Sequence, residues 1–501
     1  AGLSQISDAV DLITDVTGNL YIADAGNNRI RKVIFSQPVY SYTFGDRGGA
    51  SSVTSGTSPD LAVGYARIQP STGSVTPAGL AIFGFRQNGV LVTEAAVPAS
   101  SLMTTGRIYA EVNGPVNTGL AFANPSGQTA TVSFYFTDDT GANSGAGTTT
   151  IPANGKTSVF LNQAPFNGGS SFSGTFTFSS SVPISAAAFR GFVNERSEFL
   201  ITTLPLIDLS TPPASDSITF PEFADGGGWT TRMVLVNPGD TILTGRVQFF
   251  NQAGAAAAVT VNGQTSNSFE YLIPPRTSKV LQTSGLGGAV VVGSVRVVSA
   301  NNVAVPSGLA IFSFKSGGTT VTEAGVPVIP TGNAFRLYAE AKGFLTAVGS
   351  IHTGLSIVNS SPGSATVTLE LSRLDGSSTG MTGTLHIPAN GQVTKFLHEI
   401  PGLTSIEIPF QGILRVLSTA SISLTGVRGR YNERREFLLT TTPPINEAAS
   451  SLSGPLYFPH VVDSGGYTTQ FILYSGQPGG TLSGTTELFS SSGVQLNWTL
   501  Y

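Results

Sequence analysis

The chain duplicates itself. Phe220-Pro221, followed by Asp225 and Gly228-Trp229-Thr230-Thr231, returns as Phe458-Pro459 with Asp463 and Gly466-Tyr467-Thr468-Thr469, a shift of 458 − 220 = 238 residues. The heptapeptide PAGLAIF at 77–83 returns as PSGLAIF at 306–312, and Thr93-Glu94-Ala95 returns as Thr322-Glu323-Ala324, both shifted by 322 − 93 = 229. The pentapeptide IPANG occurs at 151–155 and again at 387–391, and Asn194-Glu195-Arg196 is matched by Asn432-Glu433-Arg434. A long fixed period of this kind predicts an array of folded units rather than one enzyme-sized domain.

The 501 residues leave room for three to five domains, each with its own core. Only 11% of them are charged, against roughly 25% in ordinary soluble domains. Gly (60 residues), Ser, Thr and Asn take the place of the charge, which suits short strands joined by tight turns and does not suit helices. A net charge of −4 offers no basic surface to neutralise phosphates, so no nucleic-acid partner is expected. The count of zero Cys excludes disulfides, thiolate catalysis and cysteine metal sites. The longest apolar runs, such as 289–292, are far too short to span a membrane. The chain opens on Ala1 without a signal peptide and stops at Tyr501 in a strand-like run. It reads as an internal fragment, with any export signal, anchor or catalytic domain outside it.

Four segments, 118–124, 231–237, 353–359 and 469–475, share the pattern Thr-x-x-x-apolar-x-Asn/Ser. Spacing of two puts Leu120 and Phe122, Met233 and Leu235, Leu355 and Ile357, and Phe471 and Leu473 on the inward face of a strand. A second alternating strand follows in three units (130–136, 245–250, 365–371) and closes at Gly141, Gly254 or Gly376, where a hairpin requires positive φ. Later hairpins turn at Asn88-Gly89, at Gly317-Gly318 and at the two Asn-Glu-Arg segments. Many short strands with a turn signal every 8–12 residues predict an all-β protein of tandem antiparallel, immunoglobulin-like β-sandwiches.

Full units are expected at 103–213, 214–331 and 332–448. Each should close around its own apolar interior, with Thr211-Pro212-Pro213 and Pro443-Pro444 as short stiff linkers. Residues 39–102 match the later half of a sandwich and 449–501 the earlier half. The tail stops close to the point in the repeat where the head begins. Truncation is the simpler explanation, and head-to-tail pairing, within one molecule or between neighbours, is the alternative.

Residues 18–33, GNLYIADAGNNRIRKV, resemble a single NHL repeat, the blade unit of a β-propeller family. The resemblance assigns 1–38 to a propeller blade fragment ahead of the sandwiches. It implies a turn at Gly18-Asn19, strands at 20–23 and 29–33, a polar loop between them, and a scaffold that binds proteins or other ligands. The remaining units resemble, in general style, the tandem sandwich repeats of large secreted bacterial proteins.

No catalytic constellation is found, and no cofactor or metal site is expected. His352, His386, His398 and His460 lack metal-ligand spacing, and no Ser sits in a nucleophile elbow. Three weaker candidates remain. Asp225 with Trp229, and Asp463 with Tyr467, set an aromatic behind a Gly-rich loop, where it could stack on a sugar or instead plug the end of the sandwich. Glu195, Glu198, Glu433 and Glu436 are the densest acidic cluster: Ca²⁺ or docking ligands on one reading, hairpin-turn residues paired with Arg on the other. Asp138-Asp139 loosely matches a calcium loop, with a plain hairpin turn as the competing reading. The function expected from all this is a non-catalytic, extracellular or cell-surface spacer or adhesive stalk, with glycans or other surface proteins as partners. The alternative is a carbohydrate-binding accessory region of a larger secreted enzyme.

Overall fold

The computed structural model describes residues 6–14, 20–33, 39–214, 217–300 and 304–501. Gly18 and Asn19 lie outside the described residues. Among those described, every regular element is a strand except two single 3₁₀ turns, Ala25–Asn27 and Leu397–Glu399. The all-β expectation holds.

Strands Ala9–Thr14, Leu20–Asp24 and Arg29–Val33 form an antiparallel meander. Its polar loop is tied down by the buried Asp24 carboxylate, which accepts from the Ser7 amide (2.8 Å), the Asn27 amide group (2.9 Å) and the Arg31 guanidinium.

The first unit contains Met103–Asn113, Val116–Ala123, Ala130–Asp138, Asn143–Ile151, Lys156–Phe160, Ser171–Val193, Phe199–Leu204 and Ile207–Asp208. All eight belong to one continuous sheet folded over on itself. The hinge of the fold is the 23-residue strand Ser171–Val193. Its first half pairs with Met103–Asn113 and Ala130–Asp138, and its second half with Val116–Ala123 and Phe199–Leu204. The register breaks between Ser179 and Ile184, where a run of small residues lets the strand bend from one layer to the other. The third unit repeats this plan around the 22-residue strand Phe410–Tyr431.

The second unit differs. Its layers are separate four-stranded sheets: Ile218–Asp225, Val291–Ser299, Leu243–Asn251 and Ser268–Ile273 in one, and Ser278–Gln282, Trp229–Val236, Ser307–Ser316 and Thr319–Pro327 in the other. Here Val291–Ser299 and Ser307–Ser316 are two strands in different sheets rather than halves of one long strand.

Head and tail build a fourth sandwich on this second plan. One sheet runs Leu456–Asp463, Ala62–Pro70, Leu482–Ser490, Tyr40–Phe44; the other runs Gly49–Val53, Tyr467–Tyr474, Ala78–Gln87, Val90–Pro98. The two half-units are therefore complementary parts of one domain, and the pairing weighed as the alternative is present within this chain. Phe44, Ile68 and Phe83 from the head pack with Phe458, Phe471 and Leu488 from the tail in a single core.

The four units close into a ring. Strands Val90–Pro98, Phe199–Leu204, Thr319–Pro327 and Phe437–Thr442 touch in cyclic order around a central axis. Their Thr hydroxyls stitch the contacts: Thr203 Oγ1 donates to the Ala96 carbonyl (2.9 Å), Thr322 Oγ1 to that of Leu439 (3.2 Å) and Thr441 Oγ1 to that of Gly325 (2.5 Å).

The expectation of independent modules on stiff linkers is corrected here. Val234, Val236, Leu309 and Ile311 of the second unit share one apolar cluster with Ile108, Phe122 and Phe176 of the first, straight across the Pro212-Pro213 joint. Ala121 and Phe189 of the first unit likewise belong to the core of the composite unit. Period-2 patterning identifies which side chains are buried, but a strand at a unit boundary buries them against a neighbour as readily as against its own partner sheet.

Candidate functional site

Strand polarity gathers the hairpin tips at one end of the ring axis. The turns at 88–89, 194–197, 317–318 and 432–435 sit there together, because each opens or closes an axial strand. At the opposite end, Pro98, Pro205, Pro327 and Pro443 finish the axial strands. With Leu204 and Gly325 these prolines line an apolar cavity of about 250 Å³.

The Asn-Glu-Arg turns meet at the first end. Arg196 bonds its own Glu198 (2.9 Å) and reaches Glu436 of the other turn (2.5 Å); Arg434 bonds Glu436 (3.0 Å) and reaches Glu198 (2.7 Å). The result is a four-membered cycle of alternating charge between turns 432 − 194 = 238 residues apart. Burial alone would lift the Glu198 carboxyl, but donation from Arg434, Asn194 and Arg196 outweighs it and holds the group below the usual carboxylate range. Glu436 is held low against the same burial by Arg196 and Asn432. Glu195 accepts from the Thr320 amide (2.7 Å) and from Lys315 (2.7 Å); burial opposes these bonds but they prevail, and its pKa falls to about 2. Glu433 accepts from the Leu91 amide (2.8 Å) and from Arg86 (2.5 Å). All four carboxylates are thus committed to cationic or amide donors. The Arg pairing weighed in the sequence is present, though it runs between turns as well as within each.

Asp225 and Asp463 are buried where the sequence offered them as ligand groups. Asp225 accepts from the Gly285 amide (2.7 Å) and Asp463 from the Gly56 amide (2.8 Å), each pinning a neighbouring loop. Gly226, Gly227 and Gly228 all have positive φ, and a Cβ on Gly228 would lie 2.4 Å from the Lys315 carbonyl oxygen, so the turn demands glycine. Trp229 stacks on Phe314 (centroids 4.7 Å apart) and Tyr467 on Phe85 (4.2 Å). Both rings are half-buried at hairpin tips and also touch the cores beneath them. Asp138 accepts from the Thr140 and Ala142 amides in a tight turn, while Asp139 points to solvent. Of the histidines, only His352 and His398 come together, with centroids 5.3 Å apart. Among the described residues no group of three or more potential metal ligands is found.

Sequence reasoning missed the seams between units. Two of them are crossed by buried ion-pair networks. Arg190 joins Glu111 (2.6 Å) to Glu323 (3.0 Å) between the first and second units. Arg428 joins Glu340 (2.5 Å) to Glu94 (3.3 Å) between the third and composite units. The other two seams carry titratable groups with no opposite charge beside them, the buried Lys156 and the half-buried His460 and Glu222. Lys156 of the first unit, 4% exposed, places Nζ 2.8 Å from Nδ1 of His460 in the tail strand. Desolvation lowers the Lys156 pKa to about 7, and desolvation together with Lys156 depresses that of His460. At the equivalent seam Gln392 replaces Lys156 and Glu222 replaces His460. Desolvation raises the Glu222 carboxyl to about 7 against the opposing hydrogen bonds of Thr394 and Ser356.

No family model matches the chain, and no curated protein does either. Solved structures show only a coarse likeness. The crystal structure of Thermotoga maritima 1070 aligns with a TM-score of 0.20 at 13% identity, over 24% of this chain and 100% of that one. The infectious bursal disease virus VP2 subviral particle aligns with a TM-score of 0.11 at 12% identity, over 80% of this chain and 81% of that one. Likeness at this level carries no functional argument.

Proposed function

We propose that this chain is a non-catalytic structural and adhesive element of an extracellular or cell-surface protein, working as a rigid ring that presents its loop tips. The Arg196–Glu198–Arg434–Glu436 cycle is the observation that carries the reading. It spends the densest charged cluster of a charge-poor chain on locking two turns together across the axis. Buried Arg–Glu networks at two seams support the same reading, since they fix the units relative to one another instead of leaving them to swing as beads. The extracellular location rests on the sandwich resemblance alone.

Carbohydrate binding is the second reading, and the half-exposed Trp229 and Tyr467 favour it. A glycan array probed with the whole chain, wild type beside Trp229→Ala and Tyr467→Ala, separates the two. The structural reading expects no glycan signal that depends on either ring. A signal lost on substitution would replace it with the carbohydrate reading. Calorimetric titration with Ca²⁺ is expected to give no heat, because Glu195, Glu198, Glu433 and Glu436 already hold their donors.

A further inference from the structure

We propose that the tail strands, residues 456–490, also serve as an exchangeable closing element that completes the composite sandwich of a second copy of this chain. The argument starts from strand order. In one sheet the tail strand Leu482–Ser490 separates the head strands Ala62–Pro70 and Tyr40–Phe44; in the other, Tyr467–Tyr474 separates Gly49–Val53 from Ala78–Gln87. Head and tail are interleaved, so neither half can form these sheets alone. Without the tail, Tyr40–Phe44, Gly49–Val53 and Ala62–Pro70 have no strand partner at all, and only the hairpin of Ala78–Gln87 with Val90–Pro98 remains.

The core divides in the same way. Phe44, Ile68 and Phe83 would face water until Phe458, Phe471 and Leu488 arrive. A head waiting for its tail is therefore a set of open edges and a bare apolar face, the combination that recruits a strand from another molecule. The tail supplied by a second copy makes identical contacts, since the ladders that join the two halves run from head to tail and do not depend on which chain they come from. Exchange of an identical element between protomers is a low-cost route to association.

The connection permits it. Residues 448–454, between the last strand of the third unit and Leu456, are all exposed. Seven extended residues reach about 24 Å. They are held by the Thr76 amide on the Leu452 carbonyl (2.7 Å), the Thr76 hydroxyl on that of Gly454 (2.6 Å), the Gln477 side-chain amide on that of Ala449, and a local turn of Ala448 and Ala449 on Asn446. Within one chain, tethering gives the tail an effective concentration on the order of mM, so closure dominates in dilute protein and exchange grows with concentration.

The absence of cysteine makes a clean test. Thr485 in the tail lies directly opposite Ser41 in the head. Full-length Ser41→Cys and Thr485→Cys variants are mixed in denaturant, refolded together at about 100 μM and at about 1 μM, and mildly oxidised. The expected result is a disulfide-linked dimer of unlike chains amounting to about a tenth of the protein at the higher concentration, and about a hundredfold less at the lower. The double variant refolded at about 1 μM should instead lock within one chain. Light scattering on wild type refolded at both concentrations should show the same concentration-dependent dimer without relying on either substitution. Unlike-chain dimer no greater than the like-chain background at about 100 μM, with wild type monomeric there, would overturn exchange. A double variant that fails to lock would overturn the head–tail pairing beneath it.

Discussion

Two seams of the ring occupy equivalent places and have been built from different chemistry. Between the second and third units, Glu222 faces Ser356 and Thr394, both of which accept from Gln392; between the composite and first units, His460 faces Lys156, with Phe83 and Phe189 against the imidazole. The remaining two seams are near copies of one another, Arg190 with Glu111 and Glu323 in one and Arg428 with Glu340 and Glu94 in the other. Duplication has preserved the seams where opposite charges satisfy each other. It has let the seams diverge where titratable groups are desolvated without an opposite charge. A buried ion pair tolerates no one-sided change, because removing either member strands the other, whereas neutral hydrogen-bonding groups are exchangeable.

The largest effect should come from breaking the matched seams. Arg190→Ala and Arg428→Ala are each expected to cost about 3–5 kcal/mol in urea unfolding, the first stranding the buried Glu323 and the second Glu340, while Glu111 keeps Arg232 and Glu94 keeps Arg430. Costs that differed widely between the two would break the equivalence of the halves.

Next comes Lys156→Gln, which copies the residue of the sister seam and should stabilise the protein. Unfolded, the amine stays protonated up to its ordinary value of 10.5, while in the fold it is neutral above about 7. The unfolded state then binds more protons between those values, so wild-type stability rises with pH across that window. The variant should lose this slope and gain about 2–4 kcal/mol at pH 7 and below, shrinking to nothing above pH 11. Unfolding curves at pH 6, 8 and 10 check both points.

Glu222→Gln should act more weakly and at the other side of neutrality. Its folded carboxyl titrates near 7 against an ordinary 4.5, so here the folded state binds more protons, and wild-type stability falls as pH rises through that window. A gain of about 1–3 kcal/mol above pH 7, vanishing below pH 4.5, is expected from melting curves at pH 4 and 8. Opposite pH slopes for the two variants would sharpen the comparison, and parallel slopes would remove it.

Much of this architecture was legible in the sequence, for identifiable reasons. Gly141, Gly254 and Gly376 all have positive φ (90°, 83° and 88°), as the hairpin reading of those positions required. Leu120 and Phe122, and their counterparts in the other units, are buried as period-2 spacing indicated. The complementarity of the two half-units was visible as an alternative because head and tail fall next to each other in the repeat. The cyclic arrangement was not visible, since Arg196 finds Glu436 across 240 residues and no local pattern encodes that meeting. Lys156 escaped notice for a similar reason. It follows a recognisable pentapeptide and looks like any strand-edge lysine until the tail strand is laid over it. The long strands Ser171–Val193 and Phe410–Tyr431 were not among the strands legible in the sequence, because their Ser-rich bends carry the composition of a turn.

Tyr40–Phe44 lies beside Leu482–Ser490 with Tyr40 opposite Thr486, so the chain enters and leaves this stretch through neighbouring strands of a single sheet. Mechanical tension applied at Tyr40 and Ser490 would load that sheet in a peeling geometry, opening its ladder one rung at a time from Tyr40. The other three units would hang outside the line of force and keep their shape while the joint yields.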